Sequence, residues 1–131
     1  MNKLFLMFAA ITGATAVVSG AMLAHQLKQR MPEAALLVYE TAVRYQFYHV
    51  FALLAAGILS ERFHGSWMNR AGTCFIVGIL LFCGSLYIIS AMMTTGISVP
   101  AALGVLTPLG GIGFILGWIF MSIALLRGRS S

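Results

Sequence analysis

The stretch GVLTPLGGIGFILGWIFMSIALL, Gly104–Leu126, runs 23 residues without a charged side chain. A helix needs about 20 apolar residues to cross a hydrocarbon core of about 30 Å. Backbone groups in lipid must bond within their own segment, so the stretch reads as a spanning helix and not as a strand. Three further stretches share this character towards the N-terminus: Thr73–Met93, Ala42–Ser60 and Leu4–Ala24, of 21, 19 and 21 residues. The expected architecture is an all-α polytopic membrane protein. It is a four-transmembrane-helix bundle forming one membrane domain over residues 1–131, with helices at 4–24, 42–60, 73–93 and 104–126. No connecting piece exceeds 17 residues, and a separate soluble domain needs at least about 50.

Composition agrees. The chain is 60% hydrophobic and 8% charged, against about 25% charged in an ordinary soluble domain. Glu33, Glu40 and Glu61 are its only acidic residues. That excludes sites built on several carboxylates, such as Ca²⁺ or Mg²⁺ cages. The net charge of +5 is not gathered into a basic run, so no nucleic-acid partner is expected. The first stretch is too long for the apolar core of a signal peptide and is expected to be a retained span.

Lys and Arg in short loops set orientation. With the N-terminus inside, Lys3, Arg62, Arg70, Arg127 and Arg129 lie inside, while Lys28, Arg30 and Arg44 lie outside. The bias places both termini in the cytoplasm, in a bacterial cytoplasmic (inner) membrane. The first connection is expected to hold a short amphipathic helix between helices one and two, with Pro32 at its first position and Glu33 in its first turn.

Small residues predict close packing. Ala9, Gly13, Ala16, Gly20 and Ala24 recur at three- and four-residue steps in helix one. Helix four carries Gly110, Gly113 and Gly117, the last two forming a GxxxG. Such faces let backbones approach in lipid. Packing inside the bundle is the expected use, and a dimer face on helix four is the alternative. Cys74 and Cys83 lie nine residues apart on one helix. That spacing puts them on opposite faces, about 13 Å apart along the axis, so they cannot bridge each other.

Polar residues in spans are functional candidates by default. Here they share one depth, in the outer half. His25 ends helix one; Glu40, Arg44, Tyr45, Gln46 and His49 descend helix two. Ser85 and Tyr87 lie towards the outer end of helix three, and Thr107 opens helix four. By helical rise His49 is about 10 Å below its helix start and Tyr87 about 9 Å from its outer end. On a wheel His49 lies nearly opposite Glu40 and Arg44. His49 and Tyr87 are expected within hydrogen-bond reach, directly or through one water, since a buried polar group without a partner costs about 1–3 kcal/mol.

Catalytic templates are absent: there is no HExxH, GxSxG or P-loop. A Ser85–His49 dyad has no recognisable oxyanion hole. His25 and His49 lack the third ligand a metal needs, and no CxxCH marks a haem. No catalytic residue, metal or cofactor is therefore expected.

At these residues the chain resembles a known family. The shared elements are Gly20-Ala21 with Ala24-His25, and Thr41-Ala42 with Tyr45-Gln46 and His49. Leu81-Phe82 with Gly84-Ser85-Leu86-Tyr87 follow, then Thr107-Pro108, Gly110-Gly111, Phe114 and Gly117-Trp118. Their order resembles the small bacterial membrane proteins of domain of unknown function 423 (uncharacterised protein family 0382), related to transmembrane protein 256. Met22-Leu23 replaces the usual aromatic and Gly, and Cys83 a frequent Ser. The resemblance implies a four-span protein with no established reaction, some of whose relatives look like contributors to membrane integrity. It also marks His25, Gln46, His49, Tyr87 and Thr107 as motif positions. The expected function is non-enzymatic: binding of a lipid or other hydrophobic ligand in an outer-half polar pocket, in support of membrane homeostasis. The alternative is a small proton-coupled carrier using His49. Membrane lipid is the expected partner, with a second copy of the chain or a larger membrane complex as further ones.

Overall fold

The structure is a computed structural model that describes residues 1–63 and 65–128. Arg129, counted above among the inner charges, lies outside the described residues. Helix α1 covers Lys3–His25, and a short 3₁₀ turn at Leu27–Gln29 leads to α2, Glu33–Leu59. Helix α3, Ser66–Gly78, passes through a π-helical segment, Ile79–Cys83, into α4, Gly84–Thr95. Helix α5 covers Ala101–Leu126. The α3–π–α4 run is one 30-residue rod, so four rods are long and apolar enough to cross a membrane.

The helices extend past the apolar windows where capping chemistry allows. The amphipathic segment expected in the first connection is present as the opening turns of α2, continuous with the span. Pro32 is its N-cap and not its first residue, with φ −56° and ψ 148°, an extended geometry suited to entering a helix. Asn2 caps α1 by accepting a hydrogen bond from the Phe5 N–H at 3.3 Å. The third rod stops at Gly96, which takes the left-handed conformation at φ 73°, where glycine carries no Cβ penalty.

Helix α2 is the hub. Half of its apolar window is buried, against 17% for α1. Helix α1 packs on α2, and α5 packs on α3 and the π segment. Helices α2 and α5 approach backbone to backbone at few points if any; aromatic rings fill the space between them. The outward faces of α1 and α5 carry Met7, Ile11, Val18, Ile112, Ile115 and Ile119, all exposed. A soluble monomer rarely exposes that much contiguous apolar surface, and lipid is its natural solvent.

Glycines set the tight contacts. A Cβ on Gly110 would collide with the Phe82 backbone nitrogen in the π segment. One on Gly117 would strike the Phe75 ring. On Gly113 it would stand 3.4 Å from the Cys74 carbonyl oxygen and 3.5 Å from the Gly78 backbone. The GxxxG therefore faces α3 within the chain. Gly13 and Gly20 are looser, with Val50 and Val43 at 3.4 and 3.7 Å. Cys74 and Cys83 are both free thiols.

Candidate functional site

The polar residues that share a depth divide between two faces of α2. On the first face, Gln46 is buried and reaches α1 and α4 together. Its amide donates to the Thr12 carbonyl at 2.7 Å and to Thr15 Oγ1 at 2.9 Å. Its Oε1 accepts from the Tyr87 hydroxyl at 2.6 Å. The Tyr87 ring also meets Tyr39 edge-on, with centroids 5.1 Å apart. Both amide protons and the carbonyl of Gln46 are thus engaged.

On the second face His49 points towards α5. Its ring lies on Phe114 with centroids 3.5 Å apart and planes 9° from parallel. Trp118 Nε1–H donates to His49 Nε2 at 3.2 Å. Nε2 is then the acceptor, so Nδ1 carries the proton and donates to the Tyr45 carbonyl at 2.8 Å. This assignment follows from the hydrogen-bond network. It describes a neutral imidazole with both nitrogens occupied.

The expected His49–Tyr87 contact is therefore replaced. Tyr87 bonds Gln46, and His49 bonds Tyr45 and Trp118. The physical reason is azimuth. Residues three apart differ by about 60° around a helix, enough for Gln46 and His49 to serve different neighbours. Ser85 and Thr107 form a third, separate clasp between α4 and α5, 2.6 Å apart. Ser85 donates to the Phe82 carbonyl at 3.0 Å, so Thr107 supplies the proton of the clasp. Glu40 and Arg44 form an exposed i,i+4 ion pair at 3.1 Å, worth about 0.3–0.5 kcal/mol. His25 is exposed at the end of α1.

Among the described residues, no buried side-chain nitrogen or oxygen lacks a partner. The inner polar groups thus present no unsatisfied atom to a ligand. What the surface offers is an apolar groove of about 500 Å³ beside the His49 face. Tyr45, His49, Phe82, Phe114 and Trp118 form its aromatic wall, and Pro108, Gly111, Ile112 and Ile115 line the rest. Tyr45 rests on Phe82 with centroids 4.8 Å apart. Pro108 withholds the N–H that the Gly104 carbonyl would accept inside α5. The π segment places Phe82 here; such segments interrupt a regular helix and recur at functional sites.

Sequence reasoning missed Thr12, Thr15, Phe82, Phe114 and Trp118 as site residues. The two threonines stand three apart on α1, on one helical face, which is a readable signal for a polar partner. The three rings stand among the family's shared elements, a signal that marks the positions without saying that they wall a groove.

Comparison with known proteins agrees with a membrane protein. Residues 19–111 match the family described as "Protein of unknown function (DUF423)". The chain is 39% identical over 126 residues to the UPF0382 membrane protein YwdK of Bacillus subtilis, covering 95% of this chain and 98% of that one. It is 42% identical over 122 residues to the UPF0382 membrane protein SAB0533 of Staphylococcus aureus, covering 93% and 94%. A third relative, SSP2132 of Staphylococcus saprophyticus, is 38% identical over 121 residues, covering 92% and 95%. No solved structure matches the chain.

Proposed function

The chain belongs to this UPF0382 (DUF423) family of membrane proteins, and on that premise we propose that it is a non-enzymatic lipid-binding protein. A hydrophobic chain, such as a phospholipid acyl tail, lies in the groove between α2 and α5, and the protein supports membrane homeostasis through that contact. One observation carries this reading. The groove of about 500 Å³ is walled by aromatic rings, and the ring nitrogens of His49 and Trp118 in that wall are bonded within the protein. An acyl chain gains dispersion contact there without stranding either ring's nitrogens.

The occupant is the lipid expected from the sequence, but it is set against an aromatic wall and not in a polar pocket, because the polar atoms of Gln46, His49 and Tyr87 are engaged internally. The same accounting weighs against a proton-coupled carrier. A proton on His49 Nε2 would face the Trp118 N–H, setting two donors against each other.

A phospholipid with a photoreactive group in mid-chain tests the groove. Cross-links are expected on Ile112, Ile115 and the Phe82 region. Ile112, which is exposed on the groove, tolerates enlargement without disturbing the core. Ile112→Trp should cut groove labelling several-fold at an unchanged melting temperature. Labelling of the exposed α1 face at Met7 and Ile11 to the same extent as the groove would refute specific binding.

We further propose a bacterial inner-membrane location with both termini in the cytoplasm. Lys3, Arg62, Arg70 and Arg127 belong to the end of the bundle that carries the termini. Arg70 and Arg127 both stand over the Trp67 ring, at 4.7 and 5.2 Å from its centroid, an aromatic anchor of interfacial type. Alkaline phosphatase fused after Ser131 is expected to be inactive. An active fusion reverses the orientation.

A further inference from the structure

A second cavity, separate from the groove, lies at the end of the bundle that carries the α1–α2 connection. It encloses about 250 Å³ and is lined by Gly20, Leu23, Ala24, Lys28, Leu36 and Glu40. Two chemistries meet in it. Gly20, Leu23, Ala24 and Leu36 make an apolar floor continuous with the spans. Lys28 and Glu40 supply one ammonium and one carboxylate at the rim.

Neither charge is fully engaged by the protein. Among the described residues Lys28 makes no hydrogen bond or ion pair, and it is exposed. Glu40 uses Oε1 for Arg44, and its other oxygen has no protein partner. Gly20 has room towards α2, where Val43 is 3.7 Å from an added Cβ. Its lack of a side chain therefore serves the cavity at least as much as helix packing.

We infer that this cavity binds the headgroup of an aminophospholipid. Its phosphate pairs with Lys28, its ammonium with the free Glu40 oxygen, and the start of an acyl chain covers the apolar floor. The charges decide between lipid classes. Lys28, Arg30 and Arg44 outnumber Glu33 and Glu40 at this end of the bundle, so any anionic lipid is drawn to it. Only the carboxylate at the cavity rim distinguishes an ammonium-bearing headgroup from phosphatidylglycerol, whose neutral glycerol gives Glu40 no counter-charge. A cation and an anion set side by side over an apolar floor complement a zwitterion with a tail. This site does not depend on the α2–α5 groove.

The full-length protein in detergent, titrated with phosphatidylethanolamine or phosphatidylglycerol and read by native mass spectrometry, tests the assignment. Phosphatidylethanolamine should be retained about three- to fivefold more strongly, the scale of one exposed charge contact. Glu40→Gln should remove that preference, and Lys28→Gln should weaken retention of both lipids. Arg44→Gln breaks the same Glu40–Arg44 pair but should keep the preference, and Ile112→Trp should keep it too. Equal retention of the two lipids by the unaltered protein overturns the assignment. So does a preference that survives Glu40→Gln. If Lys28→Gln and Glu40→Gln lower the melting temperature without changing lipid retention, the two residues serve only stability and the site is not a headgroup site.

Discussion

Gly110→Ala is expected to unfold the bundle at a clearly lower temperature, and Gly110→Leu to prevent its assembly. The added Cβ meets the backbone nitrogen and Cα of Phe82, atoms that cannot rotate away as a side-chain tip can. Helix α5 must then lift off the π segment. Overpacking of this kind costs about 1–3 kcal/mol, and more where backbone must move. Gly113 and Gly84 supply the scale. Gly113→Ala faces contacts of 3.4–3.5 Å to Cys74 and Gly78 and should cost less. Gly113→Leu reaches further into α3 and should fall in the 1–3 kcal/mol range. A Cβ on Gly84 meets nothing within 4 Å, so Gly84→Ala should be neutral or stabilise by up to about 1 kcal/mol, through lost unfolded-state freedom. Thermal unfolding in detergent reads the series. If Gly110→Ala melts no lower than Gly84→Ala, the close approach of α5 to Phe82 is wrong, and with it the geometry of the groove.

The span count was legible because it rests on length and apolar content, which are local properties. The glycine faces of α5 were legible for a related reason: a GxxxG in lipid has few uses other than close approach. The polar layer was legible in one dimension only. Helical rise ranks residues by depth, and Gln46 does meet Tyr87 across helices, as Ser85 meets Thr107. Azimuth decides who touches whom, and it was lost in the third rod. The π segment at Ile79–Cys83 breaks the 3.6-residue repeat, so a wheel drawn from α3 misplaces Tyr87 by up to about one residue step of 100°. Nothing in ILLFC marks such a segment. His25 is exposed at the end of α1, and Glu40 and Arg44 are exposed on a face of α2 well inside that helix; depth arithmetic cannot separate a lining residue from an exposed one. The groove wall was legible only in part: Tyr45 and His49 were site candidates, and the other three rings were not. Phe82, Phe114 and Trp118 are apolar residues in apolar helices, and only the wide α2–α5 spacing makes them a surface.

Gln46→Leu and Tyr87→Phe are each expected to destabilise the bundle by about 1–2 kcal/mol, and the double variant by no more than either. The two changes act on one bond from opposite ends. Leu at 46 leaves the buried Tyr87 hydroxyl without its acceptor, and Phe at 87 leaves Gln46 Oε1 without its donor. An abandoned buried polar group costs about 1–3 kcal/mol. Hydrogen bonds between membrane helices average nearer 0.6 kcal/mol, with a maximum near 1.7, which sets the upper part of the expected range. Removing both partners leaves nothing stranded, because Thr15 still donates to the Thr12 carbonyl at 2.9 Å. The loss should be local. Helix α1 packs chiefly on α2, and Gln46 is the residue that ties it there by side-chain bonds to Thr12 and Thr15. Hydrogen exchange should accordingly rise along α1 in Gln46→Leu while α3 and α5 keep their protection. A double-mutant cycle reads the coupling between the two positions. Strictly additive losses would mean that Gln46 and Tyr87 act independently. Lipid cross-linking in the groove should be unchanged in all three variants, since His49 and not Gln46 faces α5. A loss of groove labelling in Gln46→Leu would instead join the two faces of α2 into one device, with the lock on α1 controlling the site on α5.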